Sequence, residues 1–228
     1  MSSENSSSKV LGVAFLLQAI TSLLSGLILR AALIVPGNIS ESMVRIAGHA
    51  WLMRANILGE VTTAAGIIFL AAVLFLILRK HNQIMALVAL GLYILEAALL
   101  AASRIAAFSL LRVSQEFVAG GRPANLIPFG NQALEFMDSG YTLLMLPFCL
   151  GAILFYYLLY QSRVIPRALS LWGLIAVSLA LIGSLLAVCG REVSFLIFLP
   201  YLPFEFVVGI WILIKGLRKG WENAGNLS

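Results

Sequence analysis

Six apolar stretches decide what this chain can become: residues 10–35, 55–78, 84–108, 141–160, 169–189 and 196–215, each long enough to cross a bilayer with ordinary tilt. Hydrocarbon offers no water to backbone amides, so each stretch must satisfy its own hydrogen bonds as a helix. None shows the alternation of apolar and polar residues that a barrel strand requires. Composition agrees: the 228 residues are 61% hydrophobic and 11% charged, with a mean hydropathy of +1.00, a balance that a water-exposed surface could not carry. The expected fold is an all-α, polytopic membrane bundle of six transmembrane helices. It comprises a flexible polar tail at 1–9, a single membrane domain at 10–219 and a short tail at 220–228, with no room for a soluble catalytic domain.

The first stretch invites comparison with a secretory signal. A signal's apolar region covers about 7–15 residues and ends in a small-residue cleavage site. Here the run from Val10 to Val35 is interrupted only by Gln18 and Arg30, so an uncleaved first span is expected.

Charge orients the bundle. Lys9, Arg79, Lys80, Arg163, Arg167, Lys215, Arg218 and Lys219 fall on one side, opposed only by Glu4 and Glu222. Arg30, Arg45, Arg54, Arg112, Arg122 and Arg191 fall on the other, set against Glu41, Glu116, Glu135, Asp138 and Glu192. The excess places both termini and the short turns at 79–80 and 163–167 in the cytoplasm. The bases sit singly beside apolar runs and form no continuous basic face, so the net charge of +5 reflects topology and not a nucleic-acid partner. The basic segment Lys215 to Trp221 reads as a topology anchor, with contact to anionic lipid as the alternative.

The connection from about 109 to 140 exceeds a turn. It predicts a third helix protruding beyond the lipid, a break at Gly120-Gly121 with Pro123 and Pro128, and a helical lead-in to the fourth span. This segment and residues 36–54, with His49, Trp51 and Arg54, are candidates to cap the bundle, either as interfacial packing elements or as a lid.

Ionisable groups inside spans are the informative exceptions. A charge at mid-span costs about 2.5–3.5 kcal/mol on insertion scales, whereas a Leu or Ile returns only about 0.3–0.6 kcal/mol. Glu60, Glu96, Arg104 and Glu205 must therefore face the interior, paired or neutral. Glu60 and Arg104 each lie about 6–8 Å below the predicted outer boundary and are natural partners. Glu96 and Glu205 lie near mid-depth, with no basic residue of another span at that level. Helical spacing places Asn56, Glu60 and Thr63 on one face, and Tyr93, Glu96, Leu100 and Ser103 on another. Tyr201, Glu205 and Gly209 align on the last span beside Pro200 and Pro203, and Gln18, Ser22 and Ser25 form a weaker stripe on the first. A Tyr precedes a Glu by one helical turn in both the third and the sixth spans.

Two readings of these groups stand side by side. They are hydrogen-bonding glue between helices, at about 1 kcal/mol or less per contact, or they form an outward-facing polar pocket. In the second reading Glu96 and Glu205, lacking a cation, carry a proton or hold a cationic or hydroxylated ligand. The candidate site residues are Glu60, Glu96, Arg104, Glu205, Asn56, Tyr93 and Tyr201.

Other chemistries find no residues. His49 and His81 fall on opposite sides, so a haem pair, a zinc site and an H-E-x-x-H protease are unsupported. Cys149 and Cys189 lie in apolar runs without metal-ligand spacing and read as buried thiols. No nucleophile elbow, P-loop or dinucleotide fingerprint is present, so no catalytic residue, metal or cofactor is expected. Asn38-Ile39-Ser40 is a glycosylation sequon only in a secretory context.

Two stretches resemble a known family. Tyr160-Gln161-Ser162-Arg163-Val164-Ile165-Pro166-Arg167-Ala168-Leu169-Ser170-Leu171-Trp172-Gly173 is similar to the turn between the fourth and fifth helices of the bacterial and archaeal membrane proteins catalogued as domain of unknown function 4386. Pro203-Phe204-Glu205-Phe206-Val207-Val208-Gly209-Ile210-Trp211-Ile212-Leu213-Ile214-Lys215-Gly216 is similar to that family's last helix. The resemblance implies a prokaryotic cytoplasmic-membrane protein and points to Glu205 within a Pro-x-Glu-x3-Gly-x-Trp pattern. It implies no activity.

The expected function is that of a non-enzymatic membrane protein whose outward polar pocket binds a small-molecule or lipid-like ligand, with the lipid bilayer as its surroundings. The alternative is a proton-coupled secondary transporter using the intramembrane carboxylates. An intramembrane enzyme is disfavoured, because no nucleophile with its base can be assembled.

Overall fold

The computed structural model describes residues 2–217, with side chains from residue 8. The predicted tail at 220–228 and most of the basic segment after Lys215 lie outside the described residues. The described chain is helical throughout, without strands, and holds six helices long and apolar enough to cross a membrane: Ser8–Leu33, Ala50–Leu78, Gln83–Ala119, Ala124–Ser162, Arg167–Val188 and Phe195–Lys215. These correspond one to one with the six predicted stretches.

In chain order, α1 (Ser2–Ser22) passes through a π-helical segment, Leu23–Leu29, into α2 (Arg30–Leu33). A short α3 (Ile39–Gly48) follows, then α4 (Ala50–Leu78), α5 (Gln83–Ala119), α6 (Ile127–Ser162), α7 (Arg167–Val188) and α8 (Leu202–Lys215). Helix α1 begins at Ser2, so it runs through the segment read as a polar tail. The buried Ser8 hydroxyl accepts a hydrogen bond from the Leu217 amide at 3.1 Å.

The chain divides into two compact units. One comprises residues up to 19, 65–97 and 142 onward. Glycines set its close approaches: a Cβ on Gly12 would come within 2.7 Å of Leu213, and one on Gly209 within 2.9 Å of Leu16, so α1 and α8 pack almost backbone to backbone. At Gly173 the Phe204 ring of α8 lies against the α7 backbone, where a Cβ would meet it at 2.5 Å. The last span departs from the predicted single helix. Residues Phe195–Ile197 form a 3-10 turn and α8 starts only at Leu202, because Pro200 and Pro203 cannot donate to a preceding turn. The Pro200 carbonyl accepts instead from Trp172 Nε1 at 3.1 Å.

The other unit comprises residues 20–64 and 98–141. Leu33, Met43, Ile46, Met53, Leu110, Leu111, Phe117 and Met137 form its core. Within it, α3 buries Met43 and Ile46 and is capped by Asn38, whose side chain accepts from the Glu41 amide at 3.0 Å. Asn38 thus serves as a helix cap. The helix of the third span continues past residue 108, and the break and the helical lead-in appear as predicted: α5 ends at Ala119, and Gly121 and Arg122 adopt φ of +76° and +67°. Pro128, expected to break helix, instead sits in the first turn of α6, where its missing N–H has no partner to lose.

His81 lies in the turn between α4 and α5, where burial lowers its pKa below the usual 6.5 and leaves its Nδ1 without a partner. The unfolded chain then binds the proton first as pH falls, so stability contributed by neutral His81 is present above about pH 6.5 and is lost below it. Thermal unfolding in detergent is expected to show a smaller drop in Tm between pH 7.5 and 5.5 for His81→Gln than for the parent chain.

Candidate functional site

The first unit brings two carboxyls into one aromatic cluster. Glu96 on α5 is 4% exposed and Glu205, in the first turn of α8, is 9% exposed. Glu205 is the acidic neighbour whose field reaches Glu96. Tyr201 donates its hydroxyl proton to Glu205 Oε1 at 2.7 Å, and the Tyr156 and Tyr201 hydroxyls lie 2.8 Å apart. A tyrosine has one proton to give, so with Tyr201 committed to Glu205, Tyr156 must be the donor to Tyr201. Tyr156 also meets the Tyr93 side chain, and Tyr93 lies within the field of both carboxyls. The resulting row runs Tyr93, Tyr156, Tyr201, Glu205.

Edge-to-face aromatic contacts hold this row in place. Tyr93 packs against Phe148 and Phe155, with centroids 6.3 and 5.3 Å away, and Phe148 against Tyr201 at 5.1 Å. Phe204 packs against Tyr156 at 4.9 Å and against Trp172 at 5.9 Å. Gly151 admits the Tyr93 ring, since a Cβ there would lie 2.7 Å from it. Pro147 inside α6 removes one backbone donor next to Phe148. Glu96 differs from Glu205 in one respect: its Oε2 is buried with no hydrogen-bond partner. Among the described residues the ionisable groups around the pair are Tyr93, Cys149, Tyr156 and Tyr201, with no Lys, Arg or His.

The second unit holds the other candidates, and the charges around Glu60 and Arg104 balance. Glu60, 5% exposed, lies beside Ser25 and in the field of Arg104 and Arg30. Arg104, 7% exposed, lies in the field of Glu60, Arg30 and Asp138. Glu60 and Arg104 are neighbours as predicted, but they form no ion pair within 4 Å among the described residues. The Arg104 guanidinium donates from Nε and Nη2 to the Ser103 hydroxyl at 3.1 and 2.8 Å. The direct ion pair is Arg30 with Asp138, two residues the sequence assigned to the outer side without pairing them.

The π-helical turn belongs to this second group. Its Ser25 carbonyl accepts from Asn56 Nδ2 at 2.6 Å, and Gly59 and Gly26 allow close approach, a Cβ on them reaching Ser25 at 2.9 Å and Glu60 Oε1 at 3.2 Å. The widened turn is the expected consequence of a side chain bonding into the helical ladder. Replacing Asn56 with Ala is expected to cost about 1–3 kcal/mol, the range for losing a partner in a buried position, read by chemical unfolding in detergent.

The seven predicted residues thus fall into two groups: Glu96, Glu205, Tyr93 and Tyr201 in one unit, and Glu60, Arg104 and Asn56 in the other. An apolar groove of about 550 Å³ in the second unit is lined by residues including Leu99, Ser103, Phe129, Gln132 and Phe136, and one of about 360 Å³ in the first by Asn82, Ile84, Met85, Val88 and Leu154. None of the seven residues lines either. Sequence reasoning missed Tyr156, Phe148, Phe204 and Trp172. Their one visible mark was aromatic enrichment, as in Phe155-Tyr156-Tyr157, without an acid at helical spacing.

No curated protein and no solved structure matches the chain. Residues 10–216, nearly its whole length, match the family described as Domain of unknown function (DUF4386), in keeping with the resemblance of its turn and last helix. The chain is an integral membrane protein belonging to that family.

Proposed function

We propose that the Glu96–Glu205 cluster binds and releases a proton inside the membrane, as the coupling site of a proton-linked secondary carrier. The observation that carries this reading is the pairing of two buried carboxyls with no cation beside them among the described residues. Two like charges in a low-dielectric interior repel and forfeit hydration, so the two carboxyls together hold at least one proton. The roles divide between the two acids. Tyr201 and the amide-rich first turn of α8 favour a negative charge on Glu205, whereas Glu96 has an oxygen with no donor. The row of hydroxyls supplies hydrogen-bonded steps along which a proton moves to and from Glu205. The charge asymmetry of the turns supports both termini in the cytoplasm of a prokaryotic cell.

The balanced cluster around Glu60 and Arg104 is read as structural, because four charges that cancel need no proton. This reading sets aside a polar pocket shared by all seven residues in favour of one proton site. Potentiometric titration of the purified protein in unbuffered detergent tests it. Between pH 9 and 5.5 the parent chain is expected to take up at least one proton more than the Glu96→Gln/Glu205→Gln double variant. Superimposable curves would remove the proton site.

A further inference from the structure

We propose that the groove beside the turn between α4 and α5 seats one anionic phospholipid, with its phosphate on Arg79 and Lys80 and an acyl chain lying along α5 and α6. The groove, of about 360 Å³, lies within the first unit and is lined by Asn82 of the turn, Ile84, Met85 and Val88 of α5, and Leu154 of α6. Below Asn82 its lining is hydrocarbon, and its edge stands open: Ile84 is 77% exposed and Val88 49%. From Asn82 to Val88 it runs about 9 Å along the helix axis, within the roughly 15 Å that one leaflet contributes to a hydrocarbon core of about 30 Å. That depth suits the upper methylenes of a chain whose headgroup rests at Asn82.

Charge selects the headgroup. Arg79 and Lys80 are exposed in the turn that opens onto the groove, two and three residues before Asn82. Asn82 commits its Oδ1 to the Met85 amide at 3.0 Å, so the polar group it has left is the Nδ2 donor. Acids are remote. Of those in this unit with described side chains, Glu96 and Glu205 are buried in the tyrosine cluster, and Glu192 follows the end of α7 opposite Arg167. A phosphodiester therefore meets bases and an amide at the mouth of the groove, with hydrocarbon below. A zwitterionic lipid brings its own cation to the same two bases, and a soluble phosphate ester leaves Ile84 and Val88 uncovered. Each base beside an anionic headgroup contributes about fivefold in affinity, so the pair contributes about 25-fold.

Native mass spectrometry of the full chain in neutral detergent, titrated with dioleoyl phosphatidylglycerol, tests the site. One lipid is expected to bind saturably, about tenfold or more tighter than dioleoyl phosphatidylcholine. Arg79→Gln/Lys80→Gln is expected to lose about 25-fold in affinity for phosphatidylglycerol and to keep its affinity for phosphatidylcholine. Arg163→Gln/Arg167→Gln removes two bases assigned to the same membrane face but away from the groove, and is expected to leave phosphatidylglycerol binding unchanged. Val88→Trp fills the groove without altering charge and is expected to weaken that binding, and glycerol 3-phosphate is expected not to displace the lipid. Equal affinity for the two lipids, equal losses from the two pairs of bases, or displacement by glycerol 3-phosphate overturns the proposal. Arg79, Lys80, Arg163 and Arg167 are all exposed, so the comparison of the two pairs decides the matter even where Val88→Trp fails to fold.

Discussion

An Arg104→Met variant is expected to lose about 3 kcal/mol of stability, the lower end of the range for stripping a buried charge of its partner. Methionine preserves most of the arginine stem's volume, so the loss measures charge and hydrogen bonding and not a cavity. Its origin is the cancellation in the second unit, where Glu60 and Asp138 face Arg30 and Arg104. Removing Arg104 leaves the buried Glu60 with only the partly exposed Arg30–Asp138 pair beside it, and frees the Ser103 hydroxyl that accepted from it. Glu60→Gln alone errs in the opposite direction, with two bases against one acid. The double variant restores the balance, and is expected to recover more than half of what the Arg104 substitution costs. Chemical unfolding of the three variants reads the coupling, and strictly additive losses would show that the charges do not act as one network.

Glu205→Gln and Glu96→Gln are expected to behave in the opposite way. Each is expected to keep stability within about 1 kcal/mol, the worth of one altered hydrogen bond, and to lose proton exchange entirely. The amide keeps the shape of a protonated carboxyl and can still accept from Tyr201, so a site that already holds a proton gives up little on substitution. It cannot, however, release that proton. A loss of several kcal/mol from either variant would instead place the carboxyl in a charge network like that of Glu60. Tyr201→Phe is expected to fall between: Glu205 remains, but without its donor.

Much of this was legible in the residue order. The six spans, the break at Gly120-Gly121 and the burial of Glu60, Glu96, Arg104 and Glu205 follow from hydropathy and from the cost of placing charge in lipid. Pairing was less so. Depth along a helix axis correctly made Glu60 and Arg104 neighbours, but it could not show that Arg104 bonds Ser103 of its own helix. Nor could it show that Arg30 reaches Asp138, 108 positions away in sequence. The π-helical turn escaped notice because it is imposed by Asn56 of another helix bonding Ser25, and no local propensity announces it. Tyr156 escaped for a related reason. A tyrosine in a span reads as an apolar ring until a second hydroxyl is found facing it, and Tyr201 comes 45 positions later. Pro200 and Pro203 were visible, yet the length of α8 depended on where the Pro200 carbonyl found its donor, Trp172 of α7.

The presence of a proton on the Glu96 and Glu205 carboxyls is tested most directly by pH-difference infrared spectroscopy of the reconstituted protein, following the C=O stretch of protonated carboxyl groups. The parent chain is expected to show this band at neutral pH, to lose it as the pH is raised, and to shift it in D2O. Glu60→Gln is expected to retain the band, and the Glu96→Gln/Glu205→Gln double variant to lack it. A parent chain with no protonated-carboxyl band at neutral pH, or a band that survives in the double variant, would contradict a proton held by these two residues.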